Sequence, residues 1–209
     1  DRDLAAAALT SLFLALAAAL IACLLALALA GAARQARRRG GPRAAALYDA
    51  LPTALLAVPP FALTAGLFII LRPLTDPATV GLVLLPLLNA ATALPFVYRF
   101  VAPALTLAGE RYGRLSRALG ITGVDRLRIV DWPLLRRPLA AAFAMAMALS
   151  FGDFGIIALF GGTLRTLPYL LHERLGAFRV EEAGGVALVL TAICLVLAYA
   201  ALRGSHARP

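Results

Sequence analysis

The sequence predicts an all-α fold, a polytopic membrane helical bundle of about five transmembrane helices. Of the 209 residues, 62% are hydrophobic and only 15% are charged, whereas soluble globular chains are roughly 45–50% apolar and about 25% charged. The charged residues also lie between long apolar runs instead of being spread over them. Together these observations exclude a disordered chain, a secreted disulfide scaffold and an ordinary soluble enzyme.

Five apolar segments are long enough to cross a bilayer, whose hydrocarbon core needs roughly 20 residues per helix. They cover residues 4–33, 47–71, 78–98, 139–160 and 184–202. The first segment is too long for a signal peptide, follows the net-negative start 1–3 and precedes the arginine-rich segment 34–43. These flanks are typical of a membrane span rather than of a cleaved leader.

Prolines within two of these spans predict local bends. Proline removes a backbone donor, and a membrane helix tolerates it where neighbouring helices satisfy the freed carbonyl groups. We therefore expect kinks packed inside the bundle at Pro52, Pro59, Pro60, Pro86 and Pro95.

The arginines predict how the spans are oriented. All 20 basic residues are arginines, and 11 acidic residues leave a formal charge of +9. Fifteen arginines lie in segment 34–43, between the third and fourth spans and in the tail, and five lie in the alternate segments. By the positive-inside rule, the N-terminus is outside and the C-terminal tail is cytoplasmic. The same arginines are suited to contact anionic lipid headgroups.

The loop 161–182, on the predicted outer side, contains an apolar stretch that is too short to span a membrane. Pro168 would suit the first turn of a helix there. A short re-entrant or interfacial helix and a plain surface loop are both compatible with this pattern.

Segment 109–138 is polar and basic but carries a helical pattern. Apolar residues at i, i+3 and i+7 form one face of a helix that Gly120 would end with a left-handed cap. Thr122, three residues before Asp125, gives a weak capping box for a second helix, which Pro133 would close. The candidate contact residues of these two amphipathic helices are Tyr112, Leu115, Leu119, Gly120, Val124, Leu127, Val130 and Pro133.

The apolar faces of these helices must be covered. They would pack against the chain's own helix ends or lie in the headgroup layer, or they would lie in the groove of a partner protein. The pattern alone favours neither arrangement.

Segment 109–138 resembles the cytoplasmic coupling loop of ABC-importer permeases. The pattern of that family is Glu-Ala-Ala, three residues, Gly, nine residues, a branched aliphatic residue, one residue and Leu-Pro. Gly120, Val130 and Pro133 occupy its spacing. The chain departs from the pattern at Arg114, Leu115, Ser116 and Trp132.

A second stretch narrows the resemblance to the permeases of thiamine transporters. Segment 149–161 contains the Ser-x-Gly-[Asp/Glu]-Phe-Gly core that permeases for iron(III), molybdate and sulfate share. The Gly-Ile-Thr-Gly of 120–123 and the Ile-Ile-Ala-Leu-Phe-Gly of 156–161 are closer to the thiamine type. The match covers most of residues 47–203.

The resemblance implies a type I ABC-importer permease fold and a place in the bacterial inner membrane. Residues 1–209 would form a single transmembrane permease domain, the C-terminal half of a fused permease, with 109–138 as its coupling loop. The implied partners are a dimer of cytoplasmic ABC ATPase subunits, an extracytoplasmic solute-binding protein, the other permease half and membrane lipids. The implied cargo is thiamine or thiamine phosphates, and the alternative is Fe(III) or an oxyanion such as molybdate or sulfate.

An enzymatic role is disfavoured. A phosphate-binding P-loop needs a lysine, and the chain has none, so ATP would be bound and hydrolysed by the partner subunit. We expect no catalytic residue, no metal ligand, no cofactor and no nucleic-acid partner in this chain. The alternative of a different class is a non-transporting membrane scaffold, which predicts no ATPase partner.

Asp153 is the acidic residue that the sequence places well inside a span. A charge at that depth costs about 2.5–3.5 kcal/mol on insertion scales, so such residues face the bundle interior. Asp153 and Ser150 are therefore the candidates for a translocation path, where the acid would attract a cationic cargo. The structural alternative is that Asp153 bonds Ser150 or caps the glycine-rich break nearby.

Overall fold

The computed structural model describes residues 2–71, 77–121, 123–154 and 164–206, and within these ranges the regular secondary structure is helical. A 3₁₀ turn covers Leu55–Ala57, and a π-helical turn covers Leu127–Asp131. The α-helices are α1 (Arg2–Arg38), α2 (Pro42–Ala54), α3 (Pro60–Leu71), α4 (Pro77–Ala118), α5 (Gly123–Arg126), α6 (Trp132–Gly152), α7 (Leu167–Gly176) and α8 (Val180–His206).

The predicted all-α polytopic bundle is confirmed. Within the described ranges, four continuous helical stretches are long and apolar enough to cross a membrane: Arg2–Arg38, Gly81–Ser116, Gly123–Gly152 and Val180–Arg203. The bent pair of α2 and α3 gives a fifth span if it is counted as one. The prediction of about five spans therefore holds, and the second of them is broken.

The break in the second span lies at two adjacent prolines. Helix α3 is bent by 84° from α2 and its 3₁₀ extension, and Val58 between them is extended, with φ −94° and ψ 118°. The residue before a proline is disfavoured in the helical conformation, and proline lacks the N–H that a continuing helix would use. The Val58-Pro59-Pro60 sequence thus turns the expected kink into a break. Pro52, Pro86 and Pro95 lie inside uninterrupted helices.

A stripe of alanines on α1 lets the bundle pack closely. Ala15, Ala18, Ala22 and Ala26 are fully buried, and α1 packs against both α4 and α6. Small side chains allow close approach of helix backbones in a membrane, where van der Waals packing drives helix association. Helix α6 also packs against α4 and α8, so it is the central helix of the described bundle.

Helix α4 is much longer than the predicted third span. The sequence places the end of that span at Tyr98, whereas α4 continues to Ala118. Arg99 interrupts the apolar run, but arginine is a good helix former and does not end a helix, and Val101 and Leu105 beyond it are buried. The prediction of a separate first amphipathic helix is therefore wrong, because these residues form the C-terminal part of α4.

The second predicted amphipathic helix does not close at Pro133. Helix α5, the π-helical turn and α6 follow one another directly from Gly123 to Gly152. Pro133 lies in the first turn of α6, which is the helical position where proline is tolerated. The prediction that Pro133 ends the segment is wrong, because α6 follows directly from the π-helical turn.

Helix α6 ends at Gly152, so Asp153 lies at the end of the helix and not inside it. Asp153 is the C-cap and is extended, with φ −84° and ψ 102°. Glycine is a poor helix former, and the glycine-rich stretch here lets the chain leave the helix earlier than the predicted span does. Thr122 and residues 155–163, which include the predicted thiamine-type segment 156–161, lie outside the described residues.

Loop 161–182 contains helix α7, so the short-helix alternative is correct. Thr166 is its N-cap and its Oγ1 accepts a hydrogen bond from the Tyr169 N–H at 3.4 Å. Pro168 lies in the first turn, as expected. The Leu167 N–H donates to Ser11 Oγ at 2.8 Å, which fixes the start of α7 against α1.

Candidate functional site

A left-handed glycine turn follows α4, as the sequence predicts. Gly120 has φ +68°, a conformation that L-residues with a side chain rarely adopt. The Ile121 N–H donates to the Ser116 carbonyl at 2.8 Å, which is the 6→1 bond of a Schellman motif. This turn sends the chain from the end of α4 back towards α6.

The apolar face of the coupling segment (Tyr112–Pro133) is exposed. Val124 is 76% exposed and Leu119 is 63% exposed, and neither side chain is covered by another described part of the chain. In the described part of the chain these two side chains therefore do not pack against helix ends. The predicted contact residues that are exposed are Tyr112, Leu115, Leu119, Gly120, Val124, Leu127 and Pro133, and Val130 is half-buried.

Sequence reasoning missed two large members of this face. Ile129 and Trp132 are both more than half exposed. Trp132 occupies the leucine position of the family pattern and is the only tryptophan in the sequence. Because large apolar side chains dominate the cores of protein interfaces, these two residues belong with the predicted contact set.

A buried ion network ties the coupling segment to α1. Arg34 Nη1 donates to Asp131 Oδ2 at 3.0 Å, and Arg126 Nε lies 3.8 Å from the same oxygen. The side chains of Arg34, Arg126 and Asp131 are 14%, 10% and 8% exposed. Arg34 lies near the end of α1, so two elements far apart in sequence share one carboxylate.

Two glycines on α4 make room for these arginines. A Cβ at Gly109 would lie 3.3 Å from Arg34 Nε, and a Cβ at Gly113 would lie 3.9 Å from Arg126 Nη2. The first distance is shorter than ordinary van der Waals contact, whereas the second is within the ordinary range. Gly109 therefore leaves the space in which the Arg34 guanidinium lies, and Gly113, one helical turn away, lies beside Arg126.

A second polar network lies beside the first. The Tyr98 hydroxyl donates to Asp49 Oδ1 at 2.5 Å, and Arg37 pairs with Asp49 Oδ2. Arg37 is one turn from Arg34 on α1, Asp49 lies on α2 and Tyr98 lies on α4. The basic end of α1 is therefore bound to three other parts of the chain through two carboxylates.

A cavity of about 600 Å³ lies where the broken span faces α4 and α6. Phe61 of α3 and Thr92 and Phe96 of α4 line it, and Asp153 lies at the end of α6 that borders it. The remaining walls are formed by apolar side chains of the break and of α6. The arrangement combines aromatic rings with an acidic residue, a pairing that suits an organic cation.

Ser150 faces a different neighbour from Asp153. It is buried, and its Oγ accepts a hydrogen bond from Asn89 Nδ2 of α4 at 2.7 Å. Ser150 is not part of the wall of the 600 Å³ cavity. The structure thus places the two predicted path residues apart, with Asp153 at the cavity and Ser150 in a contact between helices.

The chain is similar to permeases of thiamine transport systems over almost its whole length. It is 47% identical over 203 residues to the thiamine transport system permease protein ThiP of Brucella abortus, an alignment that covers 97% of the chain and 35% of that protein. The ThiP proteins of Salmonella typhimurium and Escherichia coli are 35% and 34% identical, over 95% and 90% of the chain. The chain is homologous to these permeases.

The resemblance that the coupling segment and segment 149–161 indicate is thereby confirmed. This permease homologue spans about a third of the length of the curated relatives it matches. A more distant relative, the sulfate transport system permease protein CysT of Salmonella typhimurium, is 31% identical over 53% of the chain and 41% of that protein. No family model matches the chain.

Proposed function

We propose that this chain is the membrane-spanning part of a permease in an ATP-driven importer for thiamine or thiamine phosphates. The observation that carries the proposal is the exposed apolar face of the coupling segment, in a chain whose relatives are named thiamine transport permeases. Exposed apolar side chains on a short helical segment are suited to bind in the groove of a partner protein.

The partner that docks on this face is a cytoplasmic ABC ATPase subunit. The chain has no lysine and thus no P-loop of its own, so ATP is bound and hydrolysed in that partner. Closure of an ATPase dimer would displace the coupling segment, and α4 and α6 would carry the displacement into the bundle, because both helices are continuous with the segment.

The remaining partners follow from the orientation of the helices. The distribution of arginines puts the coupling segment in the cytoplasm and α7 on the outer side. A solute-binding protein would deliver cargo on that outer side, and the other permease half would complete the path. Exposed apolar side chains on α1 and α8, such as Leu24 and Leu195, are available to that half and to the lipid.

The cargo path is the cavity between the broken span, α4 and α6. Thiamine carries a permanent positive charge on an aromatic thiazolium ring, which the carboxylate of Asp153 and the faces of Phe61 and Phe96 would attract. Ser150 lies about one helical turn before Asp153 and does not line the cavity. It accepts the hydrogen bond from Asn89 and thereby sets the distance between α4 and α6.

The proposal is tested by uptake of radiolabelled thiamine in cells that carry or lack the full-length gene. We expect uptake at nanomolar thiamine to be lost on deletion and restored by the intact gene. Unchanged uptake would show that thiamine is not the cargo. The chain would then belong to a permease for another solute. A second measurement, co-purification of an ATPase subunit in mild detergent, tests the permease role itself, and its absence would favour a membrane scaffold.

Sulfate or another oxyanion is the second candidate cargo, and the similarity to CysT favours it. Asp153 does not decide between the two, because permeases for oxyanions share an acidic residue at this position of the Ser-x-Gly-[Asp/Glu]-Phe-Gly core. Uptake of radiolabelled sulfate distinguishes the two, because only an oxyanion permease would take it up.

A further inference from the structure

Three parts of the chain meet at the carboxylate of Asp131. Arg34 comes from the end of α1, Arg126 from α5, and Asp131 itself ends the π-helical turn. The contact with Arg34 joins residues 97 positions apart in sequence. Arg126 and Asp131 are buried and the Arg34 side chain is 14% exposed, so solvent and salt screen this contact less than a surface ion pair.

The local backbone is shaped to make this contact possible. A π-helical turn contains one residue more than an α-helical turn and shifts the side chains that follow around the helix axis. Such a turn covers Leu127–Asp131 and ends at the carboxylate that both arginines approach. On the other side, Gly109 leaves the space in which the Arg34 guanidinium lies.

We propose that Arg34 and Asp131 are positioning residues that couple the ATPase-docking segment to helix α1. This inference rests on the proposed function. The pair fastens the coupling segment to α1, and the absence of a side chain at Gly109 leaves room for the Arg34 guanidinium. Displacement of the segment is thereby transmitted to α1 and not only to the helices that are continuous with it.

Helix α1 is well placed to pass this movement on. It packs along α4 and α6 through its alanine stripe, and Leu167 at the start of α7 bonds to its Ser11. A movement at the Arg34 end therefore reaches the opposite end of the bundle through one continuous helix. The Arg37–Asp49 pair extends the same connection to α2.

The experiment uses the complete transporter, with its ATPase subunits and binding protein, in proteoliposomes. Cargo uptake and ATP hydrolysis are measured in the same sample, so that the number of cargo molecules moved per ATP is obtained. For Asp131→Asn we expect the ATPase to stay bound and ATP hydrolysis to continue. Cargo moved per ATP should fall about 2- to 30-fold, which corresponds to the 0.5–2 kcal/mol by which residues between two sites change their coupling.

Matched variants separate this role from simple folding. Asp3→Asn makes the same chemical change at an exposed position of α1 outside the docking segment and should leave cargo per ATP unchanged. Arg34→Gln should reproduce Asp131→Asn, and the double variant should be no worse than either single one, because both remove the same contact. Arg34→Lys keeps the charge and should recover part of the loss.

Two results would overturn the inference. One is a normal ratio of cargo to ATP in Asp131→Asn. The other is a parallel fall of uptake, ATP hydrolysis and ATPase co-purification, which would assign the pair a purely structural role. Failure of the proposed function has a different signature, because the unmodified transporter would then show no ATP-dependent uptake of thiamine.

Discussion

The side-chain amide of Asn89 donates a 2.7 Å hydrogen bond to the hydroxyl oxygen of Ser150 and joins α4 to α6 inside the bundle. Both residues are buried, and Asn89 Oδ1 has no hydrogen-bond partner in the described part of the chain. Buried polar groups are costly unless they are paired. The Asn89–Ser150 contact therefore fixes the register of two central helices.

Ser150→Ala should destabilise the protein, because it leaves the Asn89 amide buried without its acceptor. Hydrogen bonds between membrane helices contribute about 0.6 kcal/mol on average and up to about 1.7 kcal/mol, so we expect a loss within that range. Thermal unfolding in detergent measures it. Thr10→Ala, which removes an exposed bond to the Ala6 carbonyl on the same helix, is the control. Equal stability of Ser150→Ala and the unmodified chain would contradict the prediction.

Asp49→Ala should cost more stability than Tyr98→Phe. The phenylalanine variant loses one hydrogen bond while Asp49 keeps its pair with Arg37, a loss of about 1 kcal/mol. The alanine variant removes the acceptor of both Tyr98 and Arg37. Chemical unfolding in detergent gives the order, and Tyr199→Phe is the control because it keeps the ring beneath Arg203. The reverse order would show that Asp49 is not the centre of this network.

The positions of the spans could be predicted because burial in a bilayer depends on local composition. Long apolar runs and arginine-rich ends mark where a chain enters and leaves lipid. The end of a helix is a different property, which backbone hydrogen bonding and breakers determine. Helix α4 therefore passes Arg99 and continues to Ala118, whereas the second span breaks at Val58 although the residues around that point, 54–63, are all apolar.

The candidate contact face could also be predicted, because helical spacing and the glycine cap are local patterns. The ion network could not. The contact of Arg34 with Asp131 depends on how α1 packs against the coupling segment, and charge alone does not distinguish Arg34 from its neighbours. One local pattern points to this contact. Gly109 and Gly113 are four residues apart on α4, a spacing of small residues that is typical of close contacts between membrane helices.

Gly120→Ala should disturb the turn after α4. Its φ of +68° lies in the left-handed region, where an L-residue with a side chain costs about 1–2 kcal/mol. We expect lower thermal stability and weaker co-purification of the ATPase subunit. Gly185→Ala in α8, where a Cβ meets open space and φ is ordinary, is the control and should be neutral or slightly stabilising. A neutral Gly120→Ala would contradict the requirement for a left-handed cap.

Asp153→Asn should slow cargo uptake without loss of folded protein. Removal of the charge takes away the attraction between the carboxylate and the cationic ring, so we expect the maximum rate of thiamine uptake to fall about tenfold, which corresponds to about 1.4 kcal/mol. The measurement uses proteoliposomes with loaded binding protein in excess, and size-exclusion chromatography monitors folded protein. Asp153→Glu keeps the charge at the cavity wall and should recover most of the rate.

The control for Asp153→Asn is Glu181→Gln, the same change at an exposed position at the start of α8. It should leave uptake unchanged. Phe96→Leu removes an aromatic face from the same cavity and should slow uptake, whereas Phe96→Tyr should not, because cation–π attraction needs the ring. If Asp153→Asn transports at the normal rate, the carboxylate does not act on the cargo, and its place at the end of α6 is structural.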